Sequence, residues 1–163
     1  MVSWGPEQYL SFSKQRLRPA LDLLAHVPSG MRSTVYDLGC GPGNVTSYIK
    51  QRWPDAKVTG VDGSKEMLAK AMSSNSDVMW QLASLEHWVP DNIPDLLYSN
   101  SALHWVESHE TQFPRLVDLL SSGGVLAVQM PRNFGEPSHT TIFDTIRAHD
   151  WSDYLLPLVH EYP

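Results

Sequence analysis

The chain has 163 residues, a net charge of −6 and a single cysteine, Cys40. At this length one domain is expected, able to bury ~70% of its unfolded surface. The acidic balance argues against a nucleic-acid partner held by phosphate neutralisation, and one cysteine excludes an internal disulfide or a cysteine zinc cluster, which fits a reducing compartment.

The N-terminal M-V-S-W-G-P-E-Q lacks the basic start and apolar stretch of a signal peptide, and no apolar run approaches membrane-spanning length. A soluble cytoplasmic protein is therefore expected. Gln8 to Phe12 are expected to form a short helix presenting Tyr9, Leu10 and Phe12. Pro19 suits the first turn of a second helix through Leu21, Leu23 and Leu24, which Pro28-Ser29-Gly30 stops. Residues 1–30 would form a helical cap.

From Thr34 the pattern alternates strand and helix. Thr34 to Leu38 is the first strand, and Val45, Tyr48, Ile49 and Trp53 recur at helical spacing as one apolar face. Lys57 to Val61 is a second strand. Ser64 is a good N-cap for a helix burying Met67, Leu68, Ala71 and Met72. Val78 to Leu82 and Asp95 to Ser99 are the third and fourth strands. Phe113, Leu116, Val117 and Leu120 line a further helix, and Ser121-Ser122-Gly123-Gly124 turns the chain into Val125 to Met130, the fifth strand. The fold class this implies is α/β: a doubly wound, Rossmann-like, mainly parallel sheet of five clear strands with helices on both faces. After Met130 the alternation fails. Ser138 to His149 is expected to be a helix with Ile142 and Ile146 apolar, and residues 131–163 a lid-like helical tail.

The most specific segment is Val35 to Asn44, V-Y-D-L-G-C-G-P-G-N. A strand ends in an acid and is followed by Gly39, Gly41 and Gly43 at alternate positions. This G-x-G-x-G spacing differs from the dinucleotide fingerprint G-x-G-x-x-G. It favours S-adenosylmethionine over NAD. The loop opens a helix whose free N–H groups face a ligand. Asp62, about 20 residues past the loop and directly after the second strand, is placed to hold a ribose diol, although an acid there also suits a helix start near Ser64. The end of the third strand, Q-L-A-S-L, is where an adenine ring would lie.

On these blocks, together with W-G-P-E-Q-Y-L-S-F, G-V-D-G-S-K-E-M-L, S-N-S-A-L-H-W and Q-M-P-R-N-F-G-E-P-S-H, the sequence resembles the class I S-adenosylmethionine-dependent methyltransferases over nearly its whole length. The last two blocks resemble a narrower branch acting on small carboxylic acids. The resemblance implies S-adenosylmethionine as cofactor. It implies Asp37, Gly39 and Gly41 around its methionyl part, Asp62 on the ribose with Gly63 and Ser64 close by, and Asn100 and Ser101 facing the transferable methyl. Ser84 stands where members usually carry an acid beside the adenine, so weaker cofactor affinity is expected. Members also continue with two more strands, so the last two strands of the sheet are expected to be missing here. A module that binds cofactor without turnover is the rival reading.

Methylating a carboxylate needs no strong base, because the acid is already ionised at neutral pH. No Ser-His-Asp triad or metal set is evident in the sequence. Arginine's fork matches a carboxylate, which makes Arg16, Arg18 and Arg132 the substrate candidates, each equally a solvated surface charge. His104 is open between orienting the substrate and being a satisfied hydrogen-bonder. Trp105 is read as packing in the core or lid, and His139 is a weaker site candidate. His26, His87, His109, His149 and His160 are read as surface, and Cys40 as a packing residue. A small-molecule partner is expected, with no nucleic acid and no membrane; the oligomeric state is open.

Overall fold

The computed structural model describes residues 13–74, 76–133 and 135–159, with side chains from Leu17 onward. The chain divides into two compact units at the Met130–Pro131 boundary. In the first unit the order is α1 (Ser13–His26), β1 (Thr34–Leu38), α2 (Asn44–Arg52), β2 (Lys57–Asp62), α3 (Lys65–Ser74), β3 (Met79–Leu82), β4 (Leu96–Asn100), a 3-10 turn (Leu103–Trp105), α4 (His109–Asp118) and β5 (Val125–Gln129). The second unit contains α5 (Pro137–Arg147), α6 (Ser152–Leu155) and a 3-10 turn (Leu156–Leu158). Residues Gln8 to Phe12, expected to be helical, lie outside the described residues, as does His160.

All described strand pairs are parallel, in the order β3-β2-β1-β4-β5. β1 is therefore the strand from which the chain winds both ways, pairing β2 on one side and β4 on the other. The crevice at such a switch point is where α/β sheets bind ligands. Side chains alternate between faces along each strand, and both faces are covered. Val35, Val58, Leu96 and Tyr98 pack with Ile49, Trp53, Leu24 and Val27. Tyr36, Leu38, Val61 and Leu97 pack with Trp88, Leu103 and Leu116 on the opposite side.

Three helical expectations are corrected. α1 begins at Ser13, so Pro19 lies inside it rather than in its first turn. A proline removes one backbone bond, but Ala20 and Leu24 are buried and hold the helix down. Tyr48, Met72 and Val117 are exposed, not part of the buried faces. Each lies at the flank of an apolar stripe narrower than its sequence spacing suggests. His109 is half-buried rather than on the surface, with Nε2 2.8 Å from the Leu103 carbonyl oxygen. Among the described residues no helix is long and apolar enough to cross a membrane.

One side chain splices the N-terminal ends of three strands. Asp95 Oδ2 accepts from the N–H groups of Ser33 and Thr34 at 2.8 and 3.0 Å, and its Oδ1 accepts from the Ser121 hydroxyl at 3.0 Å. Burial pushes this carboxyl up, but those bonds and the Arg32 charge outweigh it and hold the pKa below the ordinary value of 3.8. A depressed carboxyl stabilises the fold above its unfolded pKa, and that stabilisation is lost as pH falls through the folded value. Asp95→Ala is expected to lower stability by about 2 kcal/mol, since three donors lose their acceptor. Its urea midpoint should also fall less steeply than the wild type's below pH 4; parallel acid profiles would count against this role.

Candidate functional site

The glycine loop follows β1 and is held by hydrogen bonds from its neighbours. The Ser99 hydroxyl donates to the Leu38 carbonyl at 2.9 Å, and Gly39 and Cys40 both donate their N–H to Val61 at 2.8 and 3.0 Å. Gly39, Gly41 and Gly43 have φ of +74°, +54° and +81°. The first two differ in what surrounds them. A Cβ at Gly39 would lie 2.1 Å from the Ala102 Cβ, whereas at Gly41 nothing lies within 4 Å. Gly39 thus admits the chain after β4, and Gly41 presents bare backbone to open space.

Asp62 ends β2 and acts first on this loop. Its Oδ2 accepts the Gly41 N–H and its Oδ1 the Ser64 N–H, both at 2.8 Å. Each carboxylate oxygen keeps a second lone pair, so the group can still accept from hydroxyls. Ser64 is the N-cap that its position suggests: its hydroxyl oxygen accepts the Met67 N–H at 3.2 Å and donates to Glu66 at 3.0 Å. Gly63 beside it is exposed.

Asp37 is buried at the end of β1, where the Thr46 hydroxyl donates to it at 2.6 Å. Burial pushes its carboxyl up to about 7, the Thr46 bond opposes the shift, and the negative charge of Asp62 adds to it. Burial, then Asp37 and Asp62, also push the buried Cys40 thiol far above its ordinary value, so it stays protonated. A thiol in that state is a poor nucleophile.

Across the switch point, β4 ends at Asn100, whose Oδ1 is buried without a partner. The next residue, Ser101, has a left-handed φ of +53° and is held there by Gln129 of β5, with N–H to carbonyl at 2.8 Å and hydroxyl to amide oxygen at 3.2 Å. In the 3-10 turn, His104 Nδ1 is likewise buried and unpaired. Burial, with His109 nearby, lowers the His104 pKa and keeps the ring neutral at pH 7. Trp105 is exposed rather than packed in the core, its ring 4.8 Å from that of His104. A one-turn 3-10 segment puts the indole outside while Leu103 points in.

Ser84 is exposed after β3 and donates its hydroxyl to Glu86. A carboxylate therefore does stand beside the missing family acid, two residues on. The sequence carried Glu86 as an unremarked loop charge; Thr46, Ser99 and Gln129 were likewise invisible before the strands were aligned.

The candidate arginines fall in two units. Arg18 is exposed on α1, 3.8 Å from Asp22 one turn on, the arrangement of a solvated ion pair. Arg16 falls in the same helix, its side chain outside the description. Arg132 is exposed and belongs to the second unit, as does His139.

Residues 36–128, more than half the chain, match the model of a family described as methyltransferase domain. The chain is 48% identical over 145 residues to a trans-aconitate 2-methyltransferase of Azoarcus sp. (strain BH72), covering 89% of this chain and 57% of that one. It is 44% identical over 153 residues to a trans-aconitate 2-methyltransferase of Escherichia coli O7:K1, covering 94% and 61%. It thus spans about three fifths of the length of these curated relatives. Among solved structures it is similar to an S-adenosylmethionine-dependent methyltransferase from Mesorhizobium loti, with a TM-score of 0.61, 31% identity, and coverage of 70% of this chain and 54% of that one.

The two glycines should separate packing from binding. Gly39→Ala is expected to cost more than about 3 kcal/mol, because backbone must move. Gly41→Ala should cost only about 1 kcal/mol of left-handed strain while filling the open space. Similar losses of stability in both variants would contradict the difference. Asp37 sets a second test. Its native pKa lies above the unfolded value, so between pH 4 and 7 the native state holds the extra proton and stability falls as pH rises. Urea midpoints from pH 4 to 8 should show that decline in the wild type and a flatter profile in Asp37→Asn.

Proposed function

We propose that this chain, which belongs to the methyltransferase-domain family, transfers a methyl group from S-adenosylmethionine to a carboxylate of a small organic acid, trans-aconitate first among the candidates. The observation that carries the reading is a pair of features at the C-terminal ends of the neighbouring strands β1 and β4. Gly41 leaves open space in a left-handed loop, and Asn100 Oδ1 is buried without a donor. A buried acceptor left unpaired is costly, and a ligand that brings positive charge or a donor relieves it. The residues present therefore fit this cofactor.

When bound, S-adenosylmethionine supplies an electrophilic methyl group on a sulfonium. Around it, Asp37, Gly39 and Gly41 would surround the methionyl part, and Asp62 would accept from the ribose hydroxyls through its remaining lone pairs. Ser84, with Glu86 beside it, would meet the adenine edge. Asn100 would turn its amide oxygen toward the positive centre, an interaction strengthened where water is excluded. The substrate carboxylate is its own nucleophile. The work left to the chain is orientation and exclusion of water, which effective-molarity arguments value highly. Neutral His104, with one ring nitrogen unpaired, would hold the acid in place. The acid is inferred from the names of the two relatives, 48% and 44% identical to this chain.

The test is to incubate the purified chain with methyl-labelled cofactor and a panel of small organic acids, and to recover base-labile label. Transfer to trans-aconitate is expected, with Asn100→Ala lowering turnover by about tenfold or more. Cofactor binding without transfer to any acid would favour a binding-only role, and failure to bind the cofactor would overturn both readings.

A further inference from the structure

Residues 83–95, which join β3 to β4, contain no helix or strand and only one turn, at 85–87, so little of the backbone is met within the segment. Its carbonyls are taken instead by side chains of α4. Arg115 Nη2 donates to the Leu85 carbonyl at 2.8 Å and Nη1 to the Trp88 carbonyl at 2.6 Å. Gln112 Nε2 donates to the Glu86 carbonyl at 3.3 Å, and its Oε1 accepts from Arg115 Nε at 2.9 Å. The far end is anchored by Trp88, which is buried, donates its indole N–H to Gln81 of β3 at 2.9 Å, and meets the Tyr36 ring edge-on at 4.9 Å. This short stretch carries Ser84 and Glu86.

The helix also reaches the other side of the crevice. At its first turn, His109 Nε2 lies 2.8 Å from the Leu103 carbonyl oxygen, next to His104. A rigid element thus holds the loop after β3 and the turn after β4 in a common frame. An arginine suits the task because its planar fork serves several acceptors at once, which a lysine ammonium on a flexible stem does not.

We infer that Arg115, assisted by Gln112, is a positioning residue: it sets the backbone of residues 85–88 so that Ser84 and Glu86 meet the adenine edge of the cofactor. The inference rests on the cofactor reading above. Arg115 touches no ligand in this role and acts through the loop. A purely structural arginine would lower stability without changing how the folded protein discriminates between ligands.

The test compares wild type, Arg115→Met and Arg115→Lys by calorimetric titration. The probes are S-adenosylhomocysteine and its purine analogue lacking the 6-amino group, with thermal melts in parallel. The wild type is expected to prefer the amino compound about tenfold, as a site built to pair a donor does. Arg115→Met should lose most of that preference, and Arg115→Lys should keep an intermediate share. If Arg115→Met does not fold, Gln112→Ala leaves the Leu85 and Trp88 bonds in place and should cut the preference about threefold. A preference unchanged in the folded variants, with wild-type binding intact, overturns this inference alone. No binding by the wild type overturns the cofactor reading and this inference with it.

Discussion

No side chain fits at residue 39. A Cβ there would lie 2.1 Å from that of Ala102, a separation at which backbone must give way. The contact brings the end of β1 against the segment that leaves β4, and most of the crevice is arranged around it. Ser99 caps Leu38 from the neighbouring strand, Val61 receives two loop N–H groups, and the Gly41 N–H closes onto Asp62. Three parallel strands therefore converge on one turn. The parallel order makes this possible, since every strand delivers its C-terminal residues to the same edge.

Two acids and an unpartnered acceptor lie at that edge. Burial pushes the Asp37 carboxyl up, the Thr46 bond opposes the shift, and the negative charge of Asp62 adds to it. The carboxyl therefore titrates near neutral pH, and the buried Asn100 oxygen adds an unmet acceptor at the end of β4. Functional sites commonly hold such unfavourable electrostatics in place with the surrounding packing. Here the packing is supplied by Tyr36, Leu38 and Leu97 on one face and by Val35, Leu96 and Tyr98 on the other.

Much of this was legible in the residues. The strands fell within a residue or so of their expected ends because runs such as T-V-Y-D-L carry an unambiguous apolar signal when both faces are covered. The helices were less legible at their flanks. Tyr48 and Val117 sit at helical spacing from buried neighbours and are nonetheless exposed, because spacing fixes an angle around the axis but not how wide a stripe the sheet covers. Pro19 misled in another way: a strong local start signal yielded to the burial of Ala20 and Leu24 around it.

The alternation of strands and helices, the glycine loop and the acid one strand later could all be read from the residues. These are local patterns, and their physical basis lies in periodicity and backbone freedom within a few residues. It took the folded arrangement to show that Asp62 holds the loop it follows by 21 residues and that Arg115 reaches back 30 residues to Leu85. Those pairings depend on which ends the sheet brings together and where α4 lies against it. Side-chain hydrogen bonds between distant segments leave no periodic trace in a sequence.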